Sequence, residues 1–140
     1  MTRVDFHTHV ANRLDYACRF ARKVYGAGQT LVVVGEPDVL RAFDQTLWTF
    51  SPLEFVPHCF AQDPLAPQTP VVLAALDEEV QHHQVLLNLA GSVPTHFARF
   101  ERVVEIVGDT PDELSGARER YRFYRDRGYT LNNYDQRGGS

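Results

Sequence analysis

Thr30-Leu31-Val32-Val33-Val34 is a continuous apolar run, with Gly26-Ala27-Gly28 before it and Gly35-Glu36-Pro37 after it. Branched apolar residues without alternation read as a strand buried on both faces. Such a strand needs covering layers above and below, so this run sets the class as α/β. Upstream, Leu14, Ala17, Cys18, Ala21, Val24 and Tyr25 recur with the i, i+3, i+4, i+7 spacing of a helix over 13–25. Gly26-Ala27-Gly28 stops that helix. Val4 to His9 alternates and predicts a first strand. Downstream, Pro37 suits a first helical turn, and Val39, Leu40, Phe43 and Leu47 supply the core stripe of a second helix ending at Trp48 and Phe50.

Ser51 to Pro70 reads as a long irregular connection, with Pro52, Pro57, Pro64, Pro67 and Pro70. Val71 to Ala75 and Gln84 to Leu89 predict two more strands. The segment between them is too short for a crossover helix, so these two are expected to pair antiparallel. Phe97 to Phe100 predicts a helical turn and Val103 to Val107 a fifth strand. Thr110-Pro111-Asp112-Glu113 combines an N-cap, a proline at the first helical position and a capping-box glutamate. The helix it starts is expected to run to Gly128, with a frayed tail from Asn133. The sum is a mostly parallel sheet between helices, one domain over residues 1–133 with a flexible tail over 134–140.

At 140 residues and 44% hydrophobic composition, the chain can bury a core without disulfide or metal staples. Cys18 and Cys59 are far apart and read as small apolar residues rather than a bridge. The opening Met1-Thr2-Arg3-Val4-Asp5 is no secretion signal, and no apolar run suits a membrane span, so a cytoplasmic location is expected. The net charge of −4 argues against strong direct DNA binding by the surface as a whole.

Asp5-Phe6-His7-Thr8-His9 is the one metal-like motif. Strand alternation would put His7 and His9 on one face, where both could reach one ion. A small metal-dependent hydrolase using this pair is therefore the alternative reading. No phosphate loop is present: Gly26-Ala27-Gly28 precedes a strand instead of following one, and the loop after Val34 is acidic. His58-Cys59 are sequence neighbours, a spacing that rarely gives nucleophile geometry. No cofactor is expected.

Gly116 to Asn132 carries five arginines and four aromatic residues on this acidic chain. On a helix, Leu114, Arg118, Tyr121 and Arg125 share an arc, with Arg122 beside it and Ala117 and Tyr124 along its other side. Cations beside rings suit a partly exposed pocket taking an apolar group and a carboxylate together. The competing reading is a solvated face with internal pairs such as Glu119 with Arg122, which contribute only tenths of a kcal/mol. A second patch gathers Trp48, Phe50 and Phe55 among prolines, either as an interface or as a loop folded over the core.

Three stretches resemble the chi-subunit family of bacterial DNA polymerase III holoenzyme. They are Leu47-Trp48 with Phe55-Val56-Pro57-His58; Phe100 through Val107; and Ala117-Arg118-Glu119-Arg120-Tyr121-Arg122-Phe123-Tyr124-Arg125 with Gly128-Tyr129-Thr130-Leu131-Asn132. The resemblance implies a Rossmann-like, three-layer α/β fold without a nucleotide site and a non-catalytic accessory role in the clamp-loader assembly. It implies two partners, the psi subunit and the acidic C-terminal tail of single-stranded DNA-binding protein. It assigns Arg118 to the tail's terminal carboxylate, Val107 and Tyr121 to its apolar residues, and Arg122, with Arg125 on the same arc, to the acids before it. Trp48, Phe55 and Pro57 are implied at the surface for psi or for an alternative helicase-type partner. Leu114 and Ser115 depart from the lysine-richer family pattern, and the opening histidines have no implied role.

Overall fold

The computed structural model describes residues 1–50 and 55–137. Among these, seven strands form one sheet: β1 (Arg3–Thr8), β2 (Leu31–Val34), β3 (His58–Phe60), β4 (Val71–Ala74), β5 (Val85–Asn88), β6 (Arg102–Ile106) and β7 (Thr130–Asp135). Their order is β3-β4-β2-β5-β6-β1-β7, and every neighbouring pair is parallel. Three helices, α1 (Arg13–Gly26), α2 (Pro37–Phe50) and α3 (Pro111–Asp126), complete a three-layer Rossmann-like α/β domain. β2 behaves as its composition requires. Leu31 and Val33 enter the core beneath α1 and α2, while Val32 and Val34 enter the core beneath α3.

The expected antiparallel pairing of β4 with β5 does not occur. β2 lies between them, parallel to both. The short connection crosses without a helix because loops do the covering on that face. Leu76, Val80 and Val93 pack against Phe97 and Phe100 alongside α3. The irregular stretch from Ser51 to Pro70 also contains a short strand, β3, on the sheet's edge; residues 51–54 of that stretch lie outside the described residues. Nor does the chain fray from Asn133. β7 continues to Asp135 along β1, and the Gln136 N–H donates to the Thr8 carbonyl at 2.9 Å. A bare β1 edge would leave a row of unpaired backbone groups, which β7 satisfies. Of the expected tail, residues 138–140 lie outside the described residues.

Local chemistry fixes the helix ends. Asn12 caps α1 by accepting from the Asp15 N–H at 3.1 Å. Thr110 caps α3 by accepting from the Glu113 N–H at 3.2 Å, with Pro111 in the first turn. The Glu113 carboxylate accepts in return from the Thr110 hydroxyl at 3.0 Å and from the Gly108 N–H at 2.8 Å. A Cβ at Gly108 would lie 2.2 Å from that carboxylate, so a side chain there would push the Glu113 carboxylate aside.

One buried polar cluster locks the layers together. Glu105, fully buried in β6, accepts from Arg120 Nε at 3.0 Å, from Tyr124 Oη at 2.9 Å and from Asn88 Nδ2 at 2.9 Å. Burial raises the carboxyl's pKa, opposed first by Arg120 and then by the Asn88, Tyr124 and Arg120 hydrogen bonds. Burial likewise raises the Tyr124 phenol, so it stays a donor at neutral pH. Glu105→Ala strands Arg120 in a buried site and is expected to cost about 3–5 kcal/mol. Tyr124→Phe removes one donor to a carboxylate and is expected to cost about 1–2 kcal/mol. Urea unfolding of both variants checks the ranking; equal losses would mean that the phenol contributes as much as the ion pair.

Candidate functional site

α3 has two unlike sides because helical positions advance by 100°. Ala117, Arg120 and Tyr124 face the sheet and are buried, while Arg118, Arg122 and Arg125 face outward and are exposed. Between α3 and the ends of β1 and β7 lies a cleft of about 320 Å³. Phe6 is at its apolar base, with Leu114, Ala117, Arg118 and Tyr121 from α3 on one wall and Asn133, Asp135 and Arg137 on the other. The Phe6 and Tyr121 rings meet at 5.4 Å between centroids. Strand alternation turns Phe6 and Thr8 toward this cleft.

The charges around the cleft are unequal. Arg137 is tied to Asp135 at 2.6 Å, and those hydrogen bonds hold the Asp135 carboxyl down at about 2. His9 Nδ1 lies 3.3 Å from Asp109. Arg118 and Arg122 have no carboxylate within ion-pair distance among the described residues. Arg125 pairs with Asp126 at 3.1 Å, an exposed contact of little energetic weight. The Glu119–Arg122 pair of the competing reading does not form. The cleft thus offers an apolar base and an uncommitted guanidinium, an arrangement that can hold an apolar group ending in a carboxylate.

The structure brings together only part of the site that the sequence implied. Arg118 and Tyr121 line the cleft, Arg122 and Arg125 lie along the exposed side of the same helix, and Val107 is elsewhere. Val107 is 2% exposed and lines a second hollow of about 240 Å³ at the start of α3, with Arg13, Gly91, Glu113 and Arg120. It follows β6 and shares the core beneath α3 with Phe6 and Ala117, but it does not line the Arg118 cleft. Phe6, Asn133 and Arg137 were not anticipated in the cleft. Only the alternation of β1 hinted at Phe6, and the other two come from the strand that replaced the expected tail.

The second patch also forms. Trp48, on α2, is 51% exposed and Phe55 is 61% exposed, with ring centroids 5.3 Å apart. Trp48 also meets the His58 ring at 4.5 Å. His58 is buried, its Nδ1 at 2.7 Å from the Val56 carbonyl and its Nε2 at 3.0 Å from Asp44. Pro57 is half-buried beside them. Two large rings held over a buried histidine form an apolar surface patch of the kind used by protein partners.

His7 and His9 part company. His9 has a φ of +56°, a left-handed conformation that breaks the strand's alternation. It turns toward the Arg118 cleft, while His7 faces α1, hydrogen-bonded to the Tyr16 hydroxyl. The two do not share a face, so the metal pair of the alternative reading is not built. Among the described residues no group of three His, Cys, Asp or Glu side chains could hold an ion. No helix of the described residues is long and apolar enough to cross a membrane.

Comparison with known proteins gives a consistent result. The family described as DNA polymerase III chi subunit, HolC, matches residues 1–132. DNA polymerase III subunit chi of Pseudomonas aeruginosa is 33% identical over 139 residues, covering 96% of each chain. The Haemophilus influenzae subunit of the same name is 27% identical, covering 84% of this chain and 83% of its own. That of Escherichia coli is 29% identical, covering 82% and 80%. Among solved structures, the crystal structure of T4 UvsW superposes with a TM-score of 0.67 at 8% identity, a likeness of fold alone; it covers 96% of this chain but 42% of that one.

Burial lowers the His7 pKa below 6.5, with Arg102 adding to the effect. The native state therefore resists a proton that the unfolded chain accepts, and stability falls as pH drops through about 6.5. Between about pH 7.5 and 5.5, the urea midpoint is expected to fall more in the wild type than in His7→Gln. An identical fall in both would show that His7 contributes nothing to the acid sensitivity.

Proposed function

The chain belongs to the DNA polymerase III chi subunit family, and from that premise we propose a non-catalytic accessory subunit that bridges two proteins in the clamp-loader assembly. The cleft between α3 and β7 takes the acidic C-terminal tail of single-stranded DNA-binding protein. The Trp48–Phe55 patch takes a psi-type subunit. The observation that carries the first assignment is Arg118, exposed, without a carboxylate partner among the described residues, beside an apolar base. A tail that ends in apolar residues and a free carboxylate supplies the complement of both features. Arg118 pairs with the terminal carboxylate, Phe6 and Tyr121 contact the apolar residues, and Arg122 and Arg125 attract the acids before them. Val107 supports this wall from beneath α3 instead of touching the tail.

The second assignment rests on area and geometry. Two large rings exposed side by side cost hydration that a partner would relieve, and an exposed aromatic pair of this type acts as a hot spot. Pro57 stiffens the backbone between Phe55 and His58, which keeps the pair in place before binding.

Titration of a labelled tail peptide into the protein tests the first site. Binding is expected to weaken with salt, and Arg118→Ala to weaken it by about 2 kcal/mol, roughly thirtyfold. Wild-type binding that survives intact in Arg118→Ala would refute the site. Trp48→Ala tests the second: loss of co-purification with the psi-type subunit, with tail binding retained, is the expected result. Retained co-purification would move the psi surface elsewhere.

A further inference from the structure

On the opposite face of β1 from the tail cleft is a second concave site that the proposed partners do not use. It encloses about 330 Å³ and is lined by His7, Tyr16, Arg19, Phe20, Lys23 and Arg102, with Val24, Ala27 and Gln29 at its edge. No carboxylate is among these lining residues, although the chain carries net charge −4 and Lys23 is its only lysine. Arg102 is held in place by buried Asp5 at 2.8 Å and lies over the Phe20 ring at 5.5 Å. Arg19 and Lys23 are exposed, one helical turn apart, and neither has an acidic partner among the described residues. Two cations without acidic partners among the described residues, on one wall of a hollow, form a local positive field on a chain of net charge −4.

The same hollow is bordered by rings. His7 lies between Tyr16, at 5.5 Å between centroids, and half-exposed Tyr134 of β7, at 5.2 Å. The Arg19 guanidinium lies 5.8 Å from the Tyr16 ring centroid. His7 Nε2 is buried without a hydrogen-bond partner among the described residues. The floor continues past Gln29 and Arg102 into a shallower hollow bordered by Arg3 and Glu101.

We infer that this hollow binds single-stranded DNA, one base entering beside the Tyr16–His7–Tyr134 rings and the flanking phosphates resting on Arg19 and Lys23. Unpaired bases offer a stacking face, and a positively charged groove lined with aromatic rings is the usual way to hold them without reading sequence. Duplex DNA fits poorly. Its bases are already stacked, and its dense charge meets a chain of net charge −4. An acidic peptide would satisfy the cations but leave the rings without a partner. The volume matches one nucleotide, at the small end of ligand sites.

Fluorescence anisotropy of a labelled oligothymidine of about twelve nucleotides, at low salt, tests the assignment. Binding is expected with a log–log salt slope of about −1.4, from two neutralised phosphates on a single strand. Lys23→Glu and Arg19→Glu are expected to abolish it. Arg41→Glu, exposed on α2, changes net charge by the same amount and is expected to leave it within about twofold. Tyr134→Ala is expected to weaken it roughly 5- to 100-fold through lost stacking. Unchanged thermal melts of the exposed charge variants confirm that the fold persists. Three results would overturn the proposal: no wild-type binding at low salt, equal loss in Arg41→Glu, or binding of an oligoglutamate as tight as that of the DNA. Thymidine monophosphate that binds as tightly as the strand would likewise overturn it in favour of a free-nucleotide site.

Discussion

A carboxylate in the middle of a buried strand organises the molecule. Glu105 has no exposure, and an ionised group there is tolerated only with charge and hydrogen bonds around it. Its three donors come from two elements: Arg120 and Tyr124 from α3, and Asn88 from β5. Arg120 also donates to the Gly91 carbonyl at 3.2 Å, tying in the loop after β5. Satisfying Glu105 therefore fixes where α3 lies and how it is rotated. With Arg120 and Tyr124 turned inward, helical geometry leaves Arg118, Arg122 and Arg125 pointing outward. The cations that make the surface useful are exposed because a neighbouring cation is buried.

A second buried carboxylate performs the matching task at the sheet's edge. Asp5 accepts from Arg102 at 2.8 Å and from Asn132 at 3.0 Å, with Arg3 at 3.5 Å, so β1 is held to β6 on one side and β7 on the other. β1 thereby becomes a partition. Its Phe6 and Thr8 face the cleft beside α3, and its Asp5 and His7 face the shelf beside α1. The two hollows on either side differ in character for that reason. One joins an apolar base to a single unpartnered arginine. The other joins aromatic rings to several cations. The proposed bridging role gains from surfaces that cannot substitute for one another.

The proposed partner surfaces are built on regular elements. Trp48 sits on α2, and Arg118 and Tyr121 on α3, so their positions are set by packing into two cores and not by loop conformation. That limits the side-chain and backbone ordering that binding would otherwise cost.

Much of this was legible in the linear chain. The unalternating run at Thr30 to Val34 determined a doubly covered strand, and periodicity placed all three helices, because both signals arise from local geometry and solvent exclusion. Thr110, Pro111 and the glycine stops marked helix ends, since capping uses atoms a few residues apart. The arc of Arg118 and Tyr121 could be read for the same reason. Tertiary structure alone decided what depends on distant partners. It placed β2 between β4 and β5, and paired β7 with β1 where the chain had looked unstructured. It buried Val107 in the core beneath α3, split His7 from His9 through one left-handed residue, and selected Arg120 as the buried arginine. Four arginines in one helix are equivalent to a reading of composition; only the position of Glu105, reached across the sheet, distinguishes the one that folds the protein from those left exposed.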